Sequence, residues 1–347
     1  MATLRQVAER AGVSRRTVDR VMNHRGTVKP ETAERVREAL IELNYQPDQA
    51  GQALAAKKKK IRLAFCSVKG QAAVLHEEIR QGAMRKAREL EKLGISVDFY
   101  TIDRDCPLTE AEAKHLVEGF GCDGLAAIPY EDPTIRQLIC KAESLNIPMV
   151  FYNVDNDSFK RSCYVGCDYN KAGRLAAGLM GMCAESGLKA GIFTVGGSDA
   201  AFRSPNYHDR VNGFEKEIAE KFPQIEIVGQ YLLGWDIFDY YDTVKRVLHQ
   251  QPDMNAVYLV NPGDYSVCRA IKKAMEHKTI KLITNDVTAE AIALLKEGII
   301  SAAISQDPER QGSLPLDLLF EQLVFAKNPE QEKYYTDLQI YIPQNFT

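Results

Sequence analysis

Arg15, Arg16 and Arg20 fall within six residues, on a segment introduced by Gly12-Val13-Ser14. One arginine fork can donate to both O6 and N7 of guanine, so exposed arginines in the first turns of a helix suit the reading of base edges in a major groove. A second set lies far downstream. Asn153, Asn261 and Gln306 each come directly after a short apolar run, and Asp286 one residue further on from another. If those runs are strands of an open α/β sheet, the four residues stand where such folds bind ligands, outside the carboxyl ends of the strands.

Both sets need scaffolds. Residues 4–43 read as three helices. Leu4, Val7, Ala8 and Ala11 share one helical face, and Gly12 to Ser14 is a tight break with Ser14 as N-cap. Val18, Val21 and Met22 are the apolar side of the second helix, and Asn23 to Val28 is a polar turn. Pro30 suits a first helical position, with Ala33, Val36, Leu40 and Leu43 as the buried stripe of the third helix. Two short helices around a Gly-containing turn, the second one basic, describe a helix-turn-helix.

From Ile61 the rhythm changes. The runs 61–65, 95–100, 124–128, 148–152, 164–166, 191–195, 225–230, 256–260, 281–284 and 301–305 are short and apolar, and amphipathic stretches separate them. Near-continuous apolar strands alternating with helices indicate parallel sheets covered on both faces. That much alternation exceeds one typical domain, which predicts an α/β body of two doubly wound parallel-sheet lobes behind an all-α head. The expected division is a head at 1–46, a hinge and basic linker at 47–60, and a body at 61–347. Within the body, one lobe takes 61–163 and 308–335, the other 164–305 and 336–347.

The formal net charge of −3 over 347 residues argues at first against a nucleic-acid partner. It hides an asymmetry. Residues 1–60 hold thirteen Lys/Arg against seven Asp/Glu, leaving 31 against 40 for the remainder. The halves are therefore +6 and −9. A basic end suggests contact with nucleic acid or a membrane, or else a solvated helical head with a lysine linker at 57–60. No apolar run reaches the ~18 residues of a membrane span, and a polar N-terminus predicts no signal peptide. The eight cysteines are scattered without a C-x-x-C pair, as expected of a reduced cytosol. Cys163 and Cys167 have no neighbours to complete a zinc set. There is no P-loop, no G-x-G-x-x-G after a strand and no G-x-S-x-G. His76-Glu77-Glu78 lacks the second histidine of a zincin helix, and Gly196-Gly197-Ser198 is a weak anion signal. No catalytic residue, metal or cofactor is expected.

The run Thr3 to Ser14, followed by Thr17-Val18-x-Arg20-Val21-x-Asn23 and by Glu42-Leu43-Asn44-Tyr45-x-Pro47, resembles the DNA-binding head of the LacI/GalR family of bacterial transcription regulators. The resemblance implies that Arg15, Arg16 and Arg20 read bases and that Thr3, Ser14, Thr17, Asn23 and Thr32 hold phosphates. Such phosphate contacts set register, and base contacts give specificity. Residues 48–56 resemble the family's hinge helix, with Leu54 as its minor-groove wedge. Asp19, Lys29 and Gly51 depart from the family pattern. Asp19 would orient an arginine or accept from cytosine, Lys29 gives up a cap for a phosphate contact, and Gly51 costs the hinge ~1 kcal/mol of helix stability.

The body is similar to the type I periplasmic sugar-binding fold, as in ribose-binding protein. The similarity rests on Asp123-Gly124-Leu125, Ile147-Pro148-x-Val150, Val165-Gly166-x-Asp168, Arg210-x-x-Gly213-Phe214, Pro252-Asp253-x-x-Ala256-Val257 and Ser305-Gln306-Asp307-Pro308. It implies effector binding by His76, Asn153, Arg210, Trp235, Asn261, Asp286 and Gln306. Asn153 stands where an acid is usual and Val154 where ribose-binding protein has an arginine, which points away from ribose itself. The function implied is a cytoplasmic homodimeric repressor. It would bind a pseudo-palindromic operator in double-stranded DNA under control of a sugar or sugar derivative, with no membrane partner. Two alternatives stay open: an enzyme acting on a small metabolite with secondary DNA binding, and a DNA-binding protein with a vestigial cleft.

Overall fold

The computed structural model describes residues 4–22, 28–43, 60–70, 74–103, 105–130, 132–183, 187–195, 205–233, 237–263, 265–274 and 279–346. The expected hinge at 48–56 with Leu54, and Thr3, Asn23, Trp235 and Gly196-Gly197-Ser198, lie outside the described residues.

The head folds as three helices, α1 (Leu4–Ala11), α2 (Arg15–Met22) and α3 (Pro30–Glu42). Its small core holds Val7, Ala8, Ala11, Val18, Val21 and Val36, as expected, and also Ala39, which was not; Leu4, Ala33, Leu40 and Leu43 are partly buried around it. The break between α1 and α2 is a Schellman turn. Gly12 N–H donates to the Glu9 carbonyl at 3.2 Å and Val13 N–H to that of Ala8 at 3.0 Å. Gly12 takes φ +65°, the left-handed conformation that glycine reaches without a Cβ penalty.

The body has two six-stranded sheets. The first comprises β1 (Arg62–Lys69), β2 (Ser96–Asp103), β3 (Gly124–Ala127), β4 (Met149–Tyr152), β5 (Cys163–Gly166) and β11 (Lys333–Tyr335), in the order β2-β1-β3-β4-β5-β11. The second comprises β6 (Lys189–Val195), β7 (Glu226–Leu233), β8 (Ala256–Asn261), β9 (Lys281–Asn285), β10 (Ala302–Ser305) and β12 (Gln339–Tyr341), in the matching order β7-β6-β8-β9-β10-β12. The connecting helices are α4 (Val74–Lys92), α5 (Glu110–Gly119), α6 (Pro133–Ser144), α7 (Tyr169–Met182), α8 (Pro205–Lys221), α9 (Ile237–Gln250), α10 (Ser266–Ala274), α11 (Ala289–Lys296) and α12 (Pro308–Phe325). β3, β4, β5 and β10 are buried at every position, as strands covered on both faces must be.

All ten predicted strands form. Two details differ from expectation. β5 pairs with β4 in the first sheet, so the first crossing between lobes comes after Gly166 rather than at 163. β12 runs antiparallel to β10 at the sheet edge, where mixed pairing is common. Three segments cross between lobes: β5 to α7, β10 to α12, and β11 to β12. Thr336 ties them together. Its N–H donates to the Gly166 carbonyl and its Oγ1 to the Gln306 carbonyl, both at 2.8 Å.

One helix pair in each lobe packs at backbone contact. α7 lies against α8 and α4 against α12. A Cβ on Gly213 would collide with the Asn170 carbonyl, and one on Gly312 with the Ile79 carbonyl. The glycine of Arg210-x-x-Gly213 therefore serves packing, and Gly173 on α7 lets the α8 backbone at Arg210 lie directly against α7.

Candidate functional site

In the head, Ser14 caps α2. Its Oγ accepts from the Thr17 N–H at 3.1 Å and lies 2.9 Å from the Thr17 hydroxyl. Arg15, Arg16 and Arg20 are exposed, and among the described residues none of them has a hydrogen-bond or ion-pair partner. Other head arginines behave differently. Arg5 pairs with Glu9, Arg10 with Glu42 and Arg37 with Glu34, at 2.8, 2.6 and 2.8 Å. Thr17 and Thr32 are half-buried, and Lys29 closes the entry to α3 with its carbonyl, which accepts from the Thr32 and Ala33 N–H groups.

In the body, the strand-end residues sit where the two sheets' carboxyl ends meet the crossings. Asn153 after β4 and Asp286 after β9 are built alike. Both have left-handed φ, +61° and +65°. Each N–H donates to the neighbouring strand, to Val165 at 2.9 Å and to Ile304 at 2.8 Å. Each carbonyl accepts a buried tyrosine hydroxyl. Tyr164 and Tyr169 reach Asn153 at 2.8 and 2.5 Å, and Tyr265 reaches Asp286 at 2.9 Å. This device ends each strand at a fixed residue, whose buried side chain then bonds beyond its own strand, Asn153 to Gln311 and Asp286 to Gln306.

Arg210 on α8 is buried. Its Nη1 donates to the Val260 carbonyl at 3.2 Å, and its guanidinium carbon lies 4.9 Å from the centre of the Tyr169 ring. Its Nε is buried with no hydrogen-bond partner among the described residues. An orphaned donor of this kind is costly unless something supplies an acceptor. Asp286 Oδ1 accepts from Gln306 Nε2 at 2.6 Å. Burial pushes the Asp286 carboxyl up from its ordinary value, and the Arg210 charge and the Gln306 hydrogen bond hold it back. Arg210 and Asp286 form a desolvated donor–acceptor pair that a polar ligand can bridge.

The remaining expected residues divide. Gln306 and His76 are buried at the site, with the His76 ring edge-on to Tyr130 at 5.9 Å. Asn261 is engaged by its surroundings: its Nδ2 donates to the Val195 carbonyl at the end of β6 at 3.2 Å and its Oδ1 accepts from the Gly263 N–H of its own turn at 3.3 Å. Three participants were not expected. Tyr169 joins the lobes by bonding Asn153 and underlying Arg210. Gln311 bonds both Asn153 and Gln306. Glu78 on α4 is half-buried, and burial with the Asp286 charge pushes its carboxyl up to about 7. Glu78 stands two residues after His76, which was the available sequence signal; nothing local marked the other two. Among the described residues, no group of three His, Cys, Asp or Glu could hold a metal, and no helix is long and apolar enough to cross a membrane.

Comparison with known proteins places this geometry. A family model described as "Periplasmic binding protein domain" matches residues 76–327, and "Bacterial regulatory proteins, lacI family" matches residues 3–48. The lactose operon repressor of Escherichia coli (strain K12) is 32% identical over 156 residues, which are 45% of this chain and 42% of that protein. The chain thus aligns with less than half the length of that relative. The ribose operon repressor of Lactococcus lactis is 23% identical over 287 residues, 83% of this chain and 79% of that protein. Among solved structures, a putative LacI transcriptional regulator from Bacteroides fragilis superposes with a TM-score of 0.69 at 19% identity, covering 82% of this chain and 98% of that one.

Proposed function

We propose that this chain, which belongs to the periplasmic binding protein domain family and carries a head of the lacI family of bacterial regulatory proteins, is a transcription repressor whose hold on operator DNA is set by a sugar or sugar derivative. The reading draws on relatives that repress the lactose and ribose operons. The observation that carries it is the buried Arg210–Asp286 pair with its orphaned Nε, set between two lobes joined by three crossings.

A polyhydroxyl ligand gives Nε an acceptor and gives the Asp286 and Asn153 oxygens donors. Such a ligand touches both lobes, so it favours their approach. Affinity for effector and operator is then reciprocally coupled, because each ligand prefers one arrangement of the lobes. Arg15, Arg16 and Arg20 read bases, Ser14, Thr17 and Thr32 with Thr3 and Asn23 hold phosphates, and Leu54 wedges the minor groove. Trp235 stacks on the effector. Two copies of the chain form a dimer in the cytoplasm and match a pseudo-palindromic operator, since two-fold protein symmetry needs two-fold half-sites.

A thermal-shift screen of sugars, sugar acids and polyols, followed by operator binding with and without each hit, tests the reading. The expected result is at least one sugar that raises the melting temperature and changes operator affinity. A stabilising sugar that leaves operator affinity unchanged would sink the coupling. The absence of any stabilising sugar would sink the effector class.

A further inference from the structure

Beside the acceptors that face the cleft runs a buried chain of side-chain amides. Asn153 Nδ2 donates to Gln311 Oε1 at 3.1 Å. Gln311 Nε2 donates to the Gln306 carbonyl at 2.8 Å and reaches Gln306 Oε1 at 3.2 Å. Gln306 Nε2 donates to Asp286 Oδ1 at 2.6 Å. The chain starts in one lobe, passes through the second crossing and ends in the other. Gln311 is at its centre, wholly buried on α12.

The sense of these bonds is dictated from their ends. An ionised carboxylate only accepts, so Gln306 must turn its NH2 toward Asp286, and its Oε1 then faces Gln311. The Gln306 backbone carbonyl also only accepts, and it already takes the Thr336 hydroxyl. Gln311 must therefore present its own NH2 on that side, which leaves Oε1 for Asn153. Asn153 answers with Nδ2, and Oδ1 is left without a protein partner among the described residues. A glutamine is the shortest uncharged side chain that can accept at one terminal atom and donate at the other over this span.

We propose that Gln311 is a positioning residue that fixes the hydrogen-bond polarity of the cleft: it takes up the Asn153 NH2, so that Asn153 presents an acceptor to a ligand opposite the Asp286 carboxylate of the other lobe. The inference rests on the effector cleft proposed above, and it sharpens the ligand class: the groups lying against Asn153 and Asp286 must be donors, as hydroxyls are. A carboxylate or ether oxygen at either place leaves two acceptors facing each other.

The test needs no effector, so it stands or falls separately from the sugar screen. Side-chain amide signals of Asn153 and Gln306, and the carboxyl titration of Asp286, are followed by NMR in the full ligand-free chain. Gln311→Glu, once ionised, keeps the acceptor for Asn153 and removes the donor toward Gln306; burial raises that carboxyl, so the spectra are compared at a pH above its own titration. The expected result is an unmoved Asn153 amide, a shifted Gln306 amide, and an Asp286 carboxyl that titrates at higher pH as its donor turns away. Gln311→Met removes both functions at similar volume, and both amide signals move upfield. Asn153→Asp reaches the same relay from its far end if substitution at 311 prevents folding: an acceptor-only side chain there forces Gln311 to turn, and the Gln306 amide shifts two links away. Identical Asn153 and Gln306 amide signals in the wild-type and folded variant proteins, or a Gln311→Glu variant in which only Asn153 moves, would overturn the proposal.

Discussion

Arg20 and Arg210 carry the same guanidinium in opposite surroundings. Arg20 is exposed on a helix of eight residues, with no partner among the described residues. Arg210 is buried beneath Tyr169 with an orphaned Nε, and Asp286 supports its charge against the cost of burial. Removing an exposed arginine deletes a contact with an outside partner and leaves the fold alone. Removing a buried one strands its counter-charge. Two sites built on one residue type should therefore fail differently, and that difference can be measured.

Arg210→Ala should show the largest effect. Arg210 and Asp286 influence each other through their charges without a direct ion pair, so removing the guanidinium, with its Val260 hydrogen bond, costs about 1–3 kcal/mol. Urea unfolding of the body should lose stability on that scale, and Asp286→Asn in the same chain should recover part of it. Full stability in Arg210→Ala would mean that Asp286 does not depend on the pair. Arg20→Ala should cost ~1–3 kcal/mol on the specific operator, relax base preference at one position per half-site, and leave unfolding within about 0.5 kcal/mol. Equal losses on random DNA would reduce Arg20 to a phosphate contact. Gly12→Ala should cost the head about 1–2 kcal/mol, because alanine is strained at φ +65° where space alone is no obstacle. Its melting transition would report this without loss of base preference.

The smallest effect concerns pH. The Glu78 carboxyl is pushed up to about 7 in the folded body against an ordinary 4.5, and Asp286 is raised as well. Between those values the folded state binds more protons than the unfolded chain. Body stability should therefore fall as pH rises through that window and level off above it. Glu78→Gln should flatten the part of the slope due to Glu78. A wild-type melting temperature that climbs across the same range would contradict the sign.

The sequence was most legible where burial is complete. Strands such as β3, β4 and β8 read as unbroken apolar runs because helices cover both faces. β11 and β12 escaped notice because each is three residues long, polar and exposed at a sheet edge. The first crossing lies three residues beyond where the sequence divides the lobes, for a related reason: Tyr164 and Val165 look the same whichever lobe they serve, and only pairing with β4 decides. At the site, residues directly after strands announced themselves, since a polar side chain ending an apolar run is conspicuous. Gln311 did not. It sits inside a helix five residues beyond Gln306, and its partners are a strand end 158 positions away in the sequence and a backbone carbonyl. Asn261 has the right position, yet its amide is taken up by the end of β6 and by its own turn.

The account's central claim is that the cleft controls the head. The direct measurement is an operator-binding titration by fluorescence anisotropy, with and without the best sugar from the screen, on the wild-type chain and on Asp286→Asn. Wild-type affinity should change with the sugar. The variant should bind operator as tightly as the sugar-free wild type and ignore the sugar at concentrations that saturate the wild type. A variant that keeps the wild-type response would show that the cleft built on Arg210 and Asp286 is not the sensor.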